Sequence, residues 1–212
     1  MEEAKLASYI SDLFATEDEP LKFARDNSSR QGLPRISIEA YEGRFLQLLV
    51  RACNAKKALE IGTLGGYSGI WIARGLRPDG LLITLEKENR HAQVAHSHFK
   101  RAGLENMVEI RVGDAHTQLA AFSNGAQFDF VFIDAEKSGY SDYFAWAVEY
   151  VRVGGIIAAH NVLAYGRLLD ENDKSENIER MRHFNQIAAG EKRLVSTIYP
   201  VGDGILAAVK VF

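Results

Sequence analysis

The chain has 212 residues, 47% of them hydrophobic and 25% charged, which is the mixture of an ordinary globular core and excludes disordered, collagen-like and coiled-coil architectures. That length suits one α/β core, so a single domain over 1–212 is expected, with 1–53 as a helical prelude within it. A net charge of -3 and a pI near 6.1 disfavour a dedicated nucleic-acid surface, and the single cysteine, Cys53, cannot form an intrachain disulfide. With no signal-like start and no run of about 18 apolar residues, a cytoplasmic protein without a membrane span is expected.

In chain order, Leu6, Ile10, Leu13 and Phe14 recur at one-face helical spacing, as do Ile38, Tyr41, Phe45, Leu48 and Leu49. Thr16 and Glu19 have capping-box spacing and predict a helix start between them, and Gly32-Leu33-Pro34 breaks the chain before the next helix. From Lys57 onward, short apolar runs alternate with helical stretches, and strands are predicted at 58–61, 81–85, 108–112, 128–133 and 155–159. Helices between strands imply parallel crossovers and an open sheet covered on both faces. After a helix around 177–189, strands at 194–199 and 204–211 are joined only by Pro200-Val201-Gly202-Asp203, which predicts an antiparallel pair closing the sheet.

The most informative segment is Ala58-Leu59-Glu60-Ile61-Gly62-Thr63-Leu64-Gly65-Gly66-Tyr67-Ser68, a buried strand running through a glycine-rich turn into a helix. A dinucleotide fingerprint would want glycine where Leu64 stands, which weakens a dehydrogenase reading. Glu86 ends the second strand, where a carboxylate can accept from a ribose diol, and Asp114-Ala115 follow the third. Together these groups suit a ligand with a sulfonium, an amino group, a ribose and an adenine. Each taken singly has a plain structural reading as well, a carboxylate at a strand end being also a helix cap.

Asp134 follows the strand Phe130-Val131-Phe132-Ile133, and His160-Asn161 follow the next one, so three ligand-capable side chains share one face of a parallel sheet. His91, His96 and His98 lack metalloprotease spacing and are expected on a solvent-facing helix. Trp71, Tyr140, Tyr143 and Trp146 read as packing residues, with Trp71 or Tyr140 able to border the site, and the turn at 200–204 reads as structural.

From Ile36 to the end, these motifs resemble the cation-dependent O-methyltransferases of class I, the family of catechol and caffeoyl-CoA O-methyltransferases. The resemblance implies a Rossmann-like, seven-stranded, mostly parallel sheet with an antiparallel final strand, S-adenosylmethionine as cofactor, and a homodimer. It implies that Glu60 and Gly62 line the methionine portion with Tyr67 and Ser68 in the same loop, that Glu86 holds the ribose, and that Asp114 and Ala115 meet the adenine. It implies a divalent cation on Asp134, His160 and Asn161, with Lys137 removing a proton or positioning the acceptor and Asp134 sharing in catalysis. His160 stands where the family usually has aspartate. A nitrogen donor there favours manganese, cobalt, nickel, iron or zinc over magnesium, or else marks a lost metal site. The expected acceptor is a small catechol-like or hydroxycinnamate-type phenol. The alternatives are a hydroxyuridine of tRNA, a cofactor-binding protein without catalysis, and a nicotinamide-dependent oxidoreductase.

Overall fold

The structure is a computed structural model that describes residues 2–122, 125, 127–200 and 202–212, so Val201 of the final turn lies outside the described residues. Three helices, α1 (Glu2–Phe14), α2 (Glu19–Arg30) and α3 (Ala40–Ala52), precede the sheet. The alternating part then runs β1 (Lys57–Ile61), α4 (Tyr67–Gly75), β2 (Leu81–Glu86), α5 (Asn89–Arg101), β3 (Val108–Val112), α6 (Ala115–Ala120), β4 (Phe128–Ile133), α7 (Tyr140–Tyr150) and β5 (Val151–His160). A 3-10 turn (Ala164–Leu169), α8 (Glu176–Gly190), β6 (Leu194–Tyr199) and β7 (Ile205–Lys210) complete it.

The seven strands lie in the order β3-β2-β1-β4-β5-β7-β6, with β7 antiparallel to both of its neighbours and the other pairs parallel, as expected. Period-2 alternation assigns the side chains to two cores. Phe130 and Phe132 face the layer of α3, α4 and α5, while Val131 and Ile133 face that of α7 and α8. The strand order reverses between β1 and β4, which opens a crevice at their carboxyl ends, where the glycine turn and Asp134 emerge. The ladder continues there, with Gly62 N–H donating to Leu85 O (3.0 Å) and Asp134 N–H to Ile61 O (2.9 Å), so both loops leave the sheet in fixed register.

Several expectations are corrected. The N-cap of α2 is Asp18, whose carboxylate accepts from Leu21 N–H, while Thr16 Oγ1 instead donates back to Asp12 O. The helix expected from the Leu6, Ile10, Leu13 and Phe14 spacing is present, with Ile10 packed against the core and Leu6, Leu13 and Phe14 each more than half exposed. β5 begins at Val151, four residues before the predicted start, and ends on His160 itself. His98, expected in solvent, is fully buried between α2 and the glycine turn. Among the described residues, no helix is long and apolar enough to cross a membrane.

Candidate active site

An open cavity of about 1490 Å³ runs along the carboxyl ends of β1, β2, β4 and β5. Ligand sites are typically about 300–1,000 Å³, so this one has room for a cofactor and a second molecule together. Its walls include Gly62, Tyr67, Ser68, Glu86, Asp114, Ala115, Asp134, Lys137, His160 and Asn161. Of the site residues expected from sequence, only Glu60 is absent from the wall.

Glu60 stands one layer behind. Its fully buried carboxylate accepts from Ser68 Oγ (2.6 Å) and Thr84 Oγ1 (2.7 Å), so it reaches the cavity only through Ser68. Burial pushes its pKa up to about 7 against those two hydrogen bonds, and the charges of Asp134 and Glu86 add to the rise. The glycine turn needs its glycines for two reasons: Gly62 has φ +100°, and a Cβ there would strike the carbonyl oxygen of Asp134, while a Cβ on Gly66 (φ +75°) would press into Phe99. Leu64 takes the left-handed region without being glycine, at φ 49°, and its N–H donates to Glu86 Oε2 (2.7 Å). Glu86 Oε1 also accepts from Glu88 N–H (2.9 Å), and His91 Nδ1 lies 3.4 Å from it, which moves His91 from solvent to the cavity wall.

Tyr67 and Ser68 open α4 rather than lying in the loop. The Tyr67 hydroxyl donates to Glu17 Oε1 (2.6 Å) and accepts from Arg25 Nη2 (2.8 Å), which ties the cavity wall to the prelude. Asp114 caps α6, with Oδ1 accepting from both the N–H and the hydroxyl of Thr117, so the structural role open to such a carboxylate is realised. His98 underpins the turn from behind. Its Nδ1 lies 2.7 Å from Gly65 O, which can only accept, so Nδ1 carries the proton and Nε2 accepts from Asn27 Nδ2 (2.9 Å).

At the other end of the cavity, Lys137 lies in the turn before α7. Its Nζ donates to the Tyr140 hydroxyl (2.5 Å) and to Asn161 Oδ1 (3.1 Å), and the Tyr140 hydroxyl donates on to His160 O (3.0 Å). Burial lowers the Lys137 pKa, while the carboxylates of Asp134, Asp203 and Glu136 oppose that shift. Tyr140 is a buried core residue that meets the site through Lys137 and the His160 carbonyl, and Trp71 is a core residue packed over Gly43. Asp203, read from sequence as part of a structural turn, is 4% exposed and lines the cavity. It accepts from Asn161 Nδ2 (3.1 Å) and from the N–H of Tyr165, holding a segment in which Asn161, Ala164 and Tyr165 all have positive φ. The only signal for it in the sequence was an aspartate between two glycines after a strand.

His160 sits between two carboxylates: Nε2 is 3.1 Å from Glu42 Oε1, and Nδ1 is 3.4 Å from Asp134 Oδ2. Burial opposes its charged form, and the carboxylates of Asp134 and Glu42 override it, pushing the pKa up to about 10. Among the described residues, no three His, Cys, Asp or Glu side chains gather as a metal centre; the expected set is two such side chains and the Asn161 amide. The donor atoms would fit a cation once the ring gives up its Nδ1 proton and Lys137 releases Asn161 Oδ1. Nδ1 is buried without a hydrogen-bond partner, and ligand atoms on one ion with bonds of about 2.1 Å stand about 3–3.5 Å apart, as Nδ1 and Asp134 Oδ2 do.

The chain is similar to known proteins over nearly its whole length. Catechol O-methyltransferase of Niastella koreensis is 43% identical over 192 residues, covering 90% of this chain and 87% of that one. Catechol O-methyltransferase of Mycobacterium tuberculosis is 40% identical over 206 residues, covering 95% and 93%. Among solved structures, the O-methyltransferase TomG of Streptomyces achromogenes in complex with SAM superposes with a TM-score of 0.89 at 35% identity over 100% of both chains. That of Bacillus cereus in complex with SAH does so with a TM-score of 0.90 at 37% identity over 97% of each. With the O-methyltransferase family profile matching residues 11–211 on top of this sheet order and site, the chain belongs to the O-methyltransferase family.

Proposed function

We propose that this enzyme moves a methyl group from S-adenosylmethionine to one hydroxyl of a small catechol-like or hydroxycinnamate-type phenol, with a divalent cation bound at Asp134, His160 and Asn161. The observation that carries the reading is the meeting of Lys137, Asp134, His160 and Asn161 at one end of a cavity whose other end is the glycine turn with Glu86 and Asp114. Relatives named catechol O-methyltransferase, matched over nearly their whole length, support the acceptor class.

In this reading Ser68, whose hydroxyl proton is engaged by Glu60, offers its lone pairs to the cofactor's ammonium, and Glu86 accepts from the ribose hydroxyls. Asp114, through the oxygen not engaged by Thr117, meets the adenine beside Ala115. An ordinary phenol titrates near about 10, so at neutral pH its oxygen is a poor nucleophile. Held by Asp134, His160 and Asn161, a divalent cation would supply Lewis acidity to the acceptor oxygens. Lys137, its amine made less basic by burial, takes the phenolic proton on Nζ. The oxygen attacks the methyl carbon as the carbon–sulfur bond breaks, leaving a neutral thioether.

The test is methyl transfer to a panel of catechols with chelator, magnesium, manganese, cobalt and zinc compared in parallel, for the natural protein and His160→Asp. Chelator should abolish turnover, transition ions should restore it better than magnesium, and the aspartate variant should gain magnesium use. Turnover indifferent to every metal would refute the cation, and cofactor binding with no acceptor methylated would refute the catalytic reading.

A further inference from the structure

Beside His160, in the wall of the same cavity, stands a second carboxylate to which the proposed chemistry has given no part. Glu42, the third residue of α3, is 2% exposed, and its two oxygens have separate partners. Oε2 accepts from Glu39 N–H (2.7 Å), closing the capping box at the start of α3, while Oε1 faces His160 Nε2 at 3.1 Å. The β6–β7 turn also closes on this carboxylate, since a Cβ on Gly202 would collide with Oε1. Capping accounts for one oxygen at a helix start that could lie in water. It does not account for carrying the other oxygen into the interior against an imidazole, since burying a carboxylate is costly unless its partners are specific.

The second nitrogen of the same ring supplies the reason. Nδ1 is buried, has no hydrogen-bond partner, and lies 3.4 Å from Asp134 Oδ2. An imidazole can give one nitrogen's lone pair to a cation only if its remaining proton sits on the other nitrogen, and an acceptor at that second nitrogen fixes both the tautomer and the ring orientation. A carboxylate only accepts, and it also returns through the ring the negative charge that a nitrogen donor lacks relative to an oxygen anion.

We propose that Glu42 is a positioning residue of the cation site: it holds the proton of His160 on Nε2, so that Nδ1 becomes a donor beside Asp134, and the two residues work as one unit. The assignment rests on the cation reading given under Proposed function. It also makes α3, an element of the prelude, part of the site.

The experiment is a double-mutant cycle on the full chain without cofactor or acceptor, with Mn(II) affinity read from the free-ion spin-resonance signal. The proteins are the natural one, Glu42→Gln, His160→Asp, and the double variant. Glu42→Gln should weaken Mn(II) binding by about 10- to 100-fold when His160 is present. With aspartate at 160 the same change should have less than about a threefold effect, because the ring it orients is gone. Nitrogen-15 shifts of His160 in the natural protein loaded with Zn(II) should show a protonated Nε2 and a metal-bound Nδ1, a readout that does not depend on any variant folding. Equal losses in both backgrounds, no loss in either, or a proton retained on Nδ1 would overturn the pairing. A natural protein that binds neither Mn(II) nor Zn(II) would instead refute the cation reading itself, and the pairing with it.

Discussion

Replacing Glu60 with glutamine should stabilise the cofactor-free protein at alkaline pH, although it removes a charge from beneath the cofactor turn. The carboxylate is fully buried, and burial raises its pKa from 4.5 to about 7. The folded protein thus holds this proton more tightly than the unfolded chain does. Below pH 4.5 the group is neutral in both states and costs nothing; as the pH climbs toward 7 the folded state must either retain the proton or bury a charge, and above 7 the whole penalty is present. A rise of that size, at about 1.4 kcal/mol per unit, amounts to about 3 kcal/mol at pH 8 and under about 1 kcal/mol at pH 5. Glutamine is neutral throughout, and the Ser68 and Thr84 hydroxyls can each rotate to donate or accept. Urea unfolding of both proteins at pH 5 and pH 8, without cofactor, measures the difference. A variant less stable at pH 8, or a stability difference equal at the two pH values, would refute the argument. The same substitution should weaken S-adenosylmethionine binding at pH 8, because it removes the negative charge behind Ser68 that the cofactor's ammonium would face.

Lys137→Met should lower kcat by about 10²- to 10⁴-fold while S-adenosylhomocysteine affinity, measured by calorimetry, stays within about threefold, since Lys137 bonds only to Tyr140 and Asn161 at the acceptor end. His98→Leu should cost about 2–4 kcal/mol in urea unfolding, because it strands the buried Gly65 carbonyl and the Asn27 amide together. It should also weaken cofactor binding, since Gly65 is part of the turn that lines the cavity.

The sheet was legible because buried parallel strands write themselves as apolar runs. Phe130 to Ile133 is buried on both faces and could be read as little else. The positions of Asp134, His160 and Asn161 followed, since residues just past parallel strands must share the carboxyl edge. What could not be read was set by contacts distant in sequence. His98 sits in a helix of polar composition, and only Gly65 and Asn27, 33 and 71 residues away, make it a buried support. The α1 stripe was read as a helix and is one, but periodicity shows only that an apolar face exists and does not say what covers it. Asp114 had two compatible readings, a cap and a wall residue, and the structure gives it both places at once.

The prelude is where local pattern and role diverge most. Its helices line part of the cavity directly, through Leu6 and Ala7 of α1 and Tyr41 and Glu42 of α3. They also hold it from behind or beside: Glu17 and Arg25 hold the Tyr67 hydroxyl, Asn27 holds the ring of His98 under the glycine turn, and Glu42 holds His160. Each contact acts on a residue that itself touches the cavity or supports its wall. The first two serve the glycine-turn end and the third the Asp134 end, so displacing α2 relative to α3 would disturb the two halves separately. A cover could be loosened with loss of affinity alone, but these contacts fix a hydroxyl, a carbonyl and an imidazole at given atoms. The prelude is therefore better understood as part of the scaffold that aligns donor and acceptor, with polar residues that carry no apolar signal fixing atoms of the site and Leu6 and Ala7 lining it.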